Sequence, residues 1–315
     1  MTLISKDLVN FLSITSEDEG QRLDNFLFRV LKGVPKSHIY RIIRSGEVRL
    51  NKKRAKVTDR LNNGDEIRIP PIRIAHKTDT QKFIPNRQFS VVYEDDFLLV
   101  IDKPAGVAVH GGSGVNFGVI EQLRKNRPQA RYLELVHRLD RETSGLLMIA
   151  KKRSTLVKLH EYLRQHTPKK EYIALGVGQW NPSDKHVKLP LFKFQNTQGE
   201  KFVKVDQNKG QYAHTVFEPM TSFDDFTLLN ITLKTGRTHQ IRVHMQALGH
   251  PIAHDEKYGD FELNKQLEKQ GLKRMFLHAH SLTLPHPVSG EEVVFHAPLP
   301  QELLDFLETL KKNEQ

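Results

Sequence analysis

Residues 136 to 150 read V-H-R-L-D-R-E-T-S-G-L-L-M-I-A. The last five, Leu146 to Ala150, are an uninterrupted apolar run of strand length, too short for anything that spans a bilayer. The ten before them form a polar turn crowded with hydrogen-bonding and cationic groups, in which the carboxylate of Asp140 lies between Arg138 and Arg141. Cations beside a carboxylate favour its ionised form, which a nucleophile or base requires. The same grouping also serves as a structural ion pair, so the turn alone leaves both roles open.

Working outward, Ser90 to Tyr93, Phe97 to Ile101, Tyr172 to Val177, Ala213 to Phe217 and Phe226 to Leu233 read as further strands. Phe117 to Asn126, Ser154 to His166 and Thr238 to Leu248 read as helices, the second with Ser154 as its cap and Leu156, Leu159 and Leu163 as an inward stripe. Strands outnumber helices without alternating strictly with them, which predicts an α+β fold rather than a doubly wound parallel sheet. Glycine clusters at His110-Gly111-Gly112-Ser113-Gly114, but no Lys-Ser/Thr follows to make a phosphate cradle, and no G-x-G-x-x-G occurs. No nucleotide cofactor is expected.

Upstream the composition changes. Of the 315 residues, 48 are Lys or Arg and 37 Asp or Glu, a net charge of +11. Between Leu31 and Arg60 ten bases face two acids, so those thirty residues hold +8 of the excess. So local a surplus fits a polyanion, since each phosphate neutralised releases a counterion. Leu23, Phe26, Leu27 and Val30 repeat at helical spacing, Gly33-Val34-Pro35 breaks the pattern, and Ile39, Ile42 and Ile43 resume it until Gly46. Val48 to Leu50 and Gly64 to Pro70 read as short strands. The expected organisation is an N-terminal arm at 1–19, a small basic α/β module at 20–75, a linker at 76–89 and a large domain at 90–315.

The chain has no cysteine, which excludes disulfides, thiolate metal sites and a Cys nucleophile. With no long apolar run and no signal-like N-terminus, a cytoplasmic protein with no membrane partner is expected. His239, His244, His250 and His254 lie close in sequence but match no metal-binding spacing, so no metal is assigned.

G-Q-R-L-D-N-F-L at 20–27 and V-P-K-S-H-I-Y-R-I-I-R-S-G-E-V-R-L-N-K-K at 34–53 resemble an S4 RNA-binding domain. That resemblance implies that Lys36, Ser37, Arg41, Arg44, Lys52 and Lys53 face an RNA backbone; Ser37 also reads as a plain helix cap. H-R-L-D-R-E-T-S-G-L-L at 137–147 resembles the signature of the RluA-type pseudouridine synthases. D-K-P-A-G at 102–106, P-K-K-E-Y-I-A-L at 168–175, T-G-R-T-H-Q-I-R-V-H at 235–244 and L-G-H-P-I at 248–252 follow the same family in order. The resemblance implies Asp140, Tyr172 and Arg242 as catalytic residues, with substrate contacts from Arg138, Ile241, His137 and Arg141. It further implies the pseudouridine synthase fold, a mixed, mainly antiparallel sheet flanked by helices and loops, with 23S (large-subunit) ribosomal RNA or its precursor particle as partner and no cofactor; a monomer is expected. Singly, Tyr172 and Ile241 would read as core and Arg242 as a surface charge. Two other functions compete: an RNA-binding ribosome-assembly factor with an inert synthase fold, and a metal-dependent nuclease, which EDTA would silence.

Overall fold

The computed structural model describes residues 7–31, 33–72, 85–112, 117–197 and 199–313. The chain divides into two units, Met1–Phe83 and Ile84–Gln315.

In the first unit, α1 (Leu23–Val30) buries Leu23, Phe26 and Leu27, and α2 (Lys36–Arg44) buries Ile39, Ile42 and Ile43, the spacing that puts apolar groups on one stripe. Strand β1 (Asn10–Ser13) forms the edge of a sheet completed by β2 (Arg49–Leu50), β3 (Lys53–Arg54) and β4 (Glu66–Ile69), in the order β1-β4-β2-β3. Residues 10–13, expected in an arm, are therefore a paired strand. Only Leu12 of the four is buried, too little apolar alternation to betray a strand. The turn between β2 and β3 consists of Asn51 and Lys52, both left-handed at φ 49° and 65°, the geometry of a tight two-residue hairpin. Asn51 holds it, donating to Asp65 at 2.8 Å and accepting from the Glu66 amide at 2.9 Å. Of the linker expected at 76–89, residues 76–84 lie outside the described residues.

The second unit is built on a ten-stranded sheet. Its strands are β5 (Ser90–Glu94), β6 (Leu98–Lys103), β7 (Glu134–Leu135), β8 (Ser144–Ala150), β9 (Lys169–Val177), β10 (His186–Val187), β13 (Thr215–Ser222), β14 (Phe226–Leu233), β15 (Leu277–Pro285) and β16 (Glu292–His296), with β11 (Leu191–Gln195) and β12 (Lys201–Val205) pairing as a separate hairpin. The main path runs β10-β13-β14-β9-β15-β8-β6-β5, while β7 pairs with β8 and β16 with β15. Among the described residues only β15 and β8 run parallel. Helices α3 (Val119–Asn126), α4 (Arg153–Arg164), α5 (Gln240–Ala247), α6 (Phe261–Lys269) and α7 (Gln301–Asn313) complete the unit.

All seven residues of β8 are buried because both faces of the sheet are covered. Leu147 and Ile149 join a core with Leu99 and Ile101, while Leu146, Met148 and Ala150 join another with Leu98 and Val100. The central parallel contact demands a glycine. Gly145 sits at φ +108°, and a Cβ there would lie 2.2 Å from the Ala279 carbonyl oxygen of β15. Ser154 is not the cap of α4: Lys152 occupies that position without a side-chain cap, and Ser154 falls inside the first turn.

Candidate active site

The turn from β7 to β8 carries Asp140. Val136 and Leu139 anchor it in the core, and the Thr143 amide closes it onto the Asp140 carbonyl at 3.2 Å. Beneath lies Lys103, with no exposed surface. Its ammonium donates to three carbonyls, Pro104 at 2.9 Å, Val107 at 2.9 Å and Arg141 at 3.1 Å. The last of these ties the D-K-P-A-G loop to the residue after Asp140. Burial pulls the ammonium down to about 7, against the opposing charges of Glu142, Asp140 and Asp102. On the same turn the Met148 amide donates to His137 Nε2 at 3.1 Å. Burial lowers that ring to about 4, so it is neutral at pH 7.

The second wall is the N-terminal end of α5, and Gln240 sets it. Its carbonyl oxygen accepts from Thr235 Oγ1 at 2.8 Å and the Arg237 amide at 2.9 Å; its amide group donates to the His214 carbonyl at 3.1 Å and Thr215 Oγ1 at 2.9 Å. Four bonds use the full capacity of the side chain. Before it, His239 is forced into the left-handed region at φ 53°, ψ 22°, a conformation costing about 1–2 kcal/mol for a residue with a Cβ.

Within the first turn of α5, Arg242 grips Asp255 with Nε at 2.7 Å and Nη2 at 2.8 Å, a planar two-point match that lysine lacks. The remaining nitrogen, Nη1, donates to Asp140 Oδ2 at 3.2 Å. Tyr258 lies with its ring centroid 5.0 Å from the guanidinium carbon. Burial opposes the charge on Arg242, but the bonds to Asp255 and the fields of both aspartates outweigh it and raise its pKa. Burial likewise opposes charge on Asp255, which has no exposed surface; Arg242 and the amides of Lys257 and Tyr258 reverse this and hold the carboxyl below its ordinary value. Asp140 is thus the third point of a rigid pair.

Tyr172 comes from β9, opposite Ile231 of β14 and Ala279 of β15. It is 8% exposed, and burial, helped by the negative charge of Asp140, raises its hydroxyl pKa. Asp140, Tyr172, Ile241 and Arg242 line one cleft of about 600 Å³, with His137, Arg138, Arg164, Lys170, Arg237 and His239 around them. Asp140 is the sole carboxylate among the described lining residues, and Leu233, Leu277 and Ile241 give the floor an apolar character. Such a cleft suits a flat, neutral ring on a polyanionic backbone.

The residues expected from sequence therefore converge, with one exception. Arg141 does not line the cleft; it is largely exposed, donating to the Gly106 carbonyl at 3.2 Å and pairing with Glu142 at 3.1 Å. Arg138 reaches the cleft as an exposed residue. The ion partner of Asp140 is Arg242, distant in sequence, rather than either neighbouring arginine. Arg242 is 7% exposed and not a surface charge. Asp255 and Tyr258 carry no sequence signal that marks them as site residues, whereas Lys103 and Gln240 lie inside the motifs at 102–106 and 235–244 without being singled out there. The histidines of the C-terminal half take hydrogen bonds: His244 with Thr215 and the Leu189 carbonyl, His250 with the Val177 carbonyl. Among the described residues no cluster of three or more His, Asp or Glu is arranged to hold a metal ion.

In the first unit, Lys36, Ser37, Arg41, Arg44, Lys52 and Lys53 are all exposed, on α2 and on the β2–β3 hairpin. Ser37 makes no cap; Pro35 occupies that position. The Lys36 ammonium lies 5.1 Å from the Phe28 ring and the Arg44 guanidinium 5.7 Å from Tyr40, so aromatic rings are interleaved with the cations.

Residues 97–247 match the family model described as RNA pseudouridylate synthase, and residues 21–67 match the S4 domain. Ribosomal large subunit pseudouridine synthase C of Escherichia coli (strain K12) is 50% identical over 311 residues, 96% of this chain and 97% of that protein. The protein of the same name from Haemophilus influenzae is 49% identical over 311 residues, 97% and 96% of the two chains. The solved structure titled Human RNA Pseudouridylate Synthase Domain Containing 4 is 27% identical and has a TM-score of 0.59, covering 70% of this chain and 93% of that one. Half-identity across both units, on a sheet of the same architecture, makes this chain a member of the RluA-type RNA pseudouridine synthase family, with an S4 domain at its N-terminal end.

Proposed function

We propose that the enzyme converts uridines of large-subunit ribosomal RNA to pseudouridine, with Asp140 as the catalytic carboxylate. Membership of the family supplies the reaction, and the names of the half-identical relatives supply the class of RNA. The observation that carries the residue assignment is the Asp140–Arg242 contact at 3.2 Å inside a cleft with a buried tyrosine and an apolar floor. The reaction breaks the C1′–N1 bond, turns the base and joins C5 to C1′; N1 gains a proton and C5 loses one, with no redox change.

A stacked uridine is out of reach, so the nucleotide is flipped at a cost of a few kcal/mol. Arg138, exposed at the cleft, fills the vacated place in the stack, a task suited to a planar guanidinium. The uracil lies against Tyr172 and Ile241. Asp140 acts at the sugar, by attack on C1′ or by assisting departure of the base and proton transfer, and Arg242 orients it for either route. Tyr172, with its proton held by burial, places a neutral hydroxyl near the ribose. His137 lines the pocket as a neutral ring. The exposed cations of the S4 unit hold flanking RNA.

The test is Asp140→Asn on an unmodified transcript of large-subunit ribosomal RNA. Pseudouridine formation should be abolished with binding retained; normal turnover would sink the assignment.

A further inference from the structure

His239 lines the same cleft beside Asp140. Its Nδ1 lies 2.7 Å from the Tyr258 hydroxyl, and that oxygen already accepts the Val203 amide at 3.0 Å. The hydroxyl keeps its own hydrogen, and Nδ1 is the ring nitrogen placed to receive it. The other side of the ring leads to the same result. Nε2 faces Asp140 Oδ1 at 3.8 Å; a bare lone pair there would confront a carboxylate, whereas an N–H complements it. Both favour the neutral ring that carries its hydrogen on Nε2. The ring is held there by a backbone in the left-handed region, at φ 53°. Strain of this kind persists where the surroundings over-determine it, and it concentrates at functional sites.

We propose that His239 is a positioning residue for Asp140: Tyr258 locks it as the Nε2–H tautomer, and it presents a fixed neutral donor to Oδ1 while Arg242 holds Oδ2. The carboxylate is thereby oriented from both sides, one partner charged and the other neutral, so its negative charge is directed without being cancelled twice. At 3.8 Å the donor is poised rather than bonded; catalytic hydrogen bonds are often this long before the Michaelis complex forms and tighten in it. The charged and titratable groups facing the ring are Asp140, Arg242, Lys257, Asp255 and Tyr258. Burial keeps the ring neutral, with Arg242 and Lys257 adding to that effect and the aspartates opposing it, down to about pH 4. Tyr258 acts twice, through its hydroxyl on His239 and through its ring on Arg242.

The inference rests on Asp140 as the catalytic carboxylate, but its closing experiment has a readout independent of turnover. In wild-type protein labelled with ¹⁵N-histidine, the resonances that disappear in His239→Gln assign the ring. They should report an Nε2–H tautomer that does not titrate between pH 5 and 8; an Nδ1–H tautomer, or a midpoint near the ordinary 6.5, overturns the proposal. In turnover on the unmodified ribosomal RNA transcript, His239→Ala should lower kcat about tenfold with KM within twofold. His239→Gln, which keeps an N–H at the end of the side chain, should recover most of the loss, and Tyr258→Phe should fall between. Unchanged kcat in His239→Ala overturns the proposal, as does a folded His239→Gln no better than Ala. If Asp140→Asn were active the assignment of the carboxylate would fall, while the tautomer measurement would still stand or fail by itself.

Discussion

At the scale of single residues, the Asp140–Arg242 pair in the cleft is held from behind by a second carboxylate. Asp255 has no exposed surface and receives two bonds from Arg242. Breaking a buried pair by removing one partner costs about 3–5 kcal/mol, because the other charge is left without compensation. Asp255→Ala should therefore lower both stability and kcat, while Asp255→Asn, which retains an acceptor and the shape, should lose less; urea unfolding and turnover check the order. The neutral histidines give a further test. His137, His239 and the buried His278 are each lowered to about 4, burial being the leading cause. A base whose pKa is depressed by folding binds protons in the unfolded chain first. Stability is then full above the ordinary 6.5 and is lost as pH falls toward 4, on the order of a kcal/mol per pH unit for each ring. The Tm should drop by several degrees between pH 7 and pH 5, and a flat profile would count against the burial of these rings. The motif around Asp140 made it legible, and the resemblance named Arg242 with it. Composition and spacing alone do not reveal that the two meet, which the fold brings about, and Asp255 sits in His-Asp-Glu-Lys, a run that looks like solvent-facing charge.

At the scale of elements, α5 is aimed by its first residue. Gln240→Ala would strip partners from Thr235, Thr215, the Arg237 amide and the His214 carbonyl together. Orphaning buried groups costs about 1–3 kcal/mol each before relaxation, so the substitution should destabilise the protein measurably in thermal melts and reduce kcat by displacing Arg242. Gly145→Ala should be more severe, since its Cβ would meet main chain rather than a movable side chain; insoluble expression or a much lowered Tm is the expected outcome. Apolar runs made β5, β6, β8, β9, β13 and β14 readable, and the stripe of Leu156, Leu159 and Leu163 did the same for α4. β15 escaped because its interior holds His278, His280 and Ser281. His278 is accommodated by Ser144 at 2.8 Å and the Ala297 carbonyl at 3.1 Å, partners that exist only after the sheet has formed. The β11–β12 hairpin, α6 and α7 were likewise not foreseen.

For the molecule as a whole, charge and chemistry are carried by different units. The Leu31–Arg60 segment contributes +8 of the net +11, while the second unit holds the cleft. Replacing Arg41, Arg44, Lys52 and Lys53 together by Gln should weaken RNA binding and flatten its salt dependence, by about 0.7–0.9 in log–log slope for each phosphate that is no longer neutralised. An unchanged slope in filter binding across a salt series would place the RNA footprint elsewhere. Two-unit organisation was legible from the composition step, because a basic stretch with its own apolar stripes can close a small core. The edge strand β1 was not, since one buried leucine in four residues carries no period.

Lys103 also gives the protein a built-in gauge of its own integrity. Lysines are ordinarily the first residues that amine-reactive reagents find, yet this one is sealed from solvent with its ammonium spent on three carbonyls. Its labelling rate should report the frequency with which the sheet opens around the Asp140 turn, separately from the fraying of ends and loops. Mass spectrometry of the single peptide containing residue 103 would thus time the opening of the catalytic core in the intact enzyme, with no residue substituted.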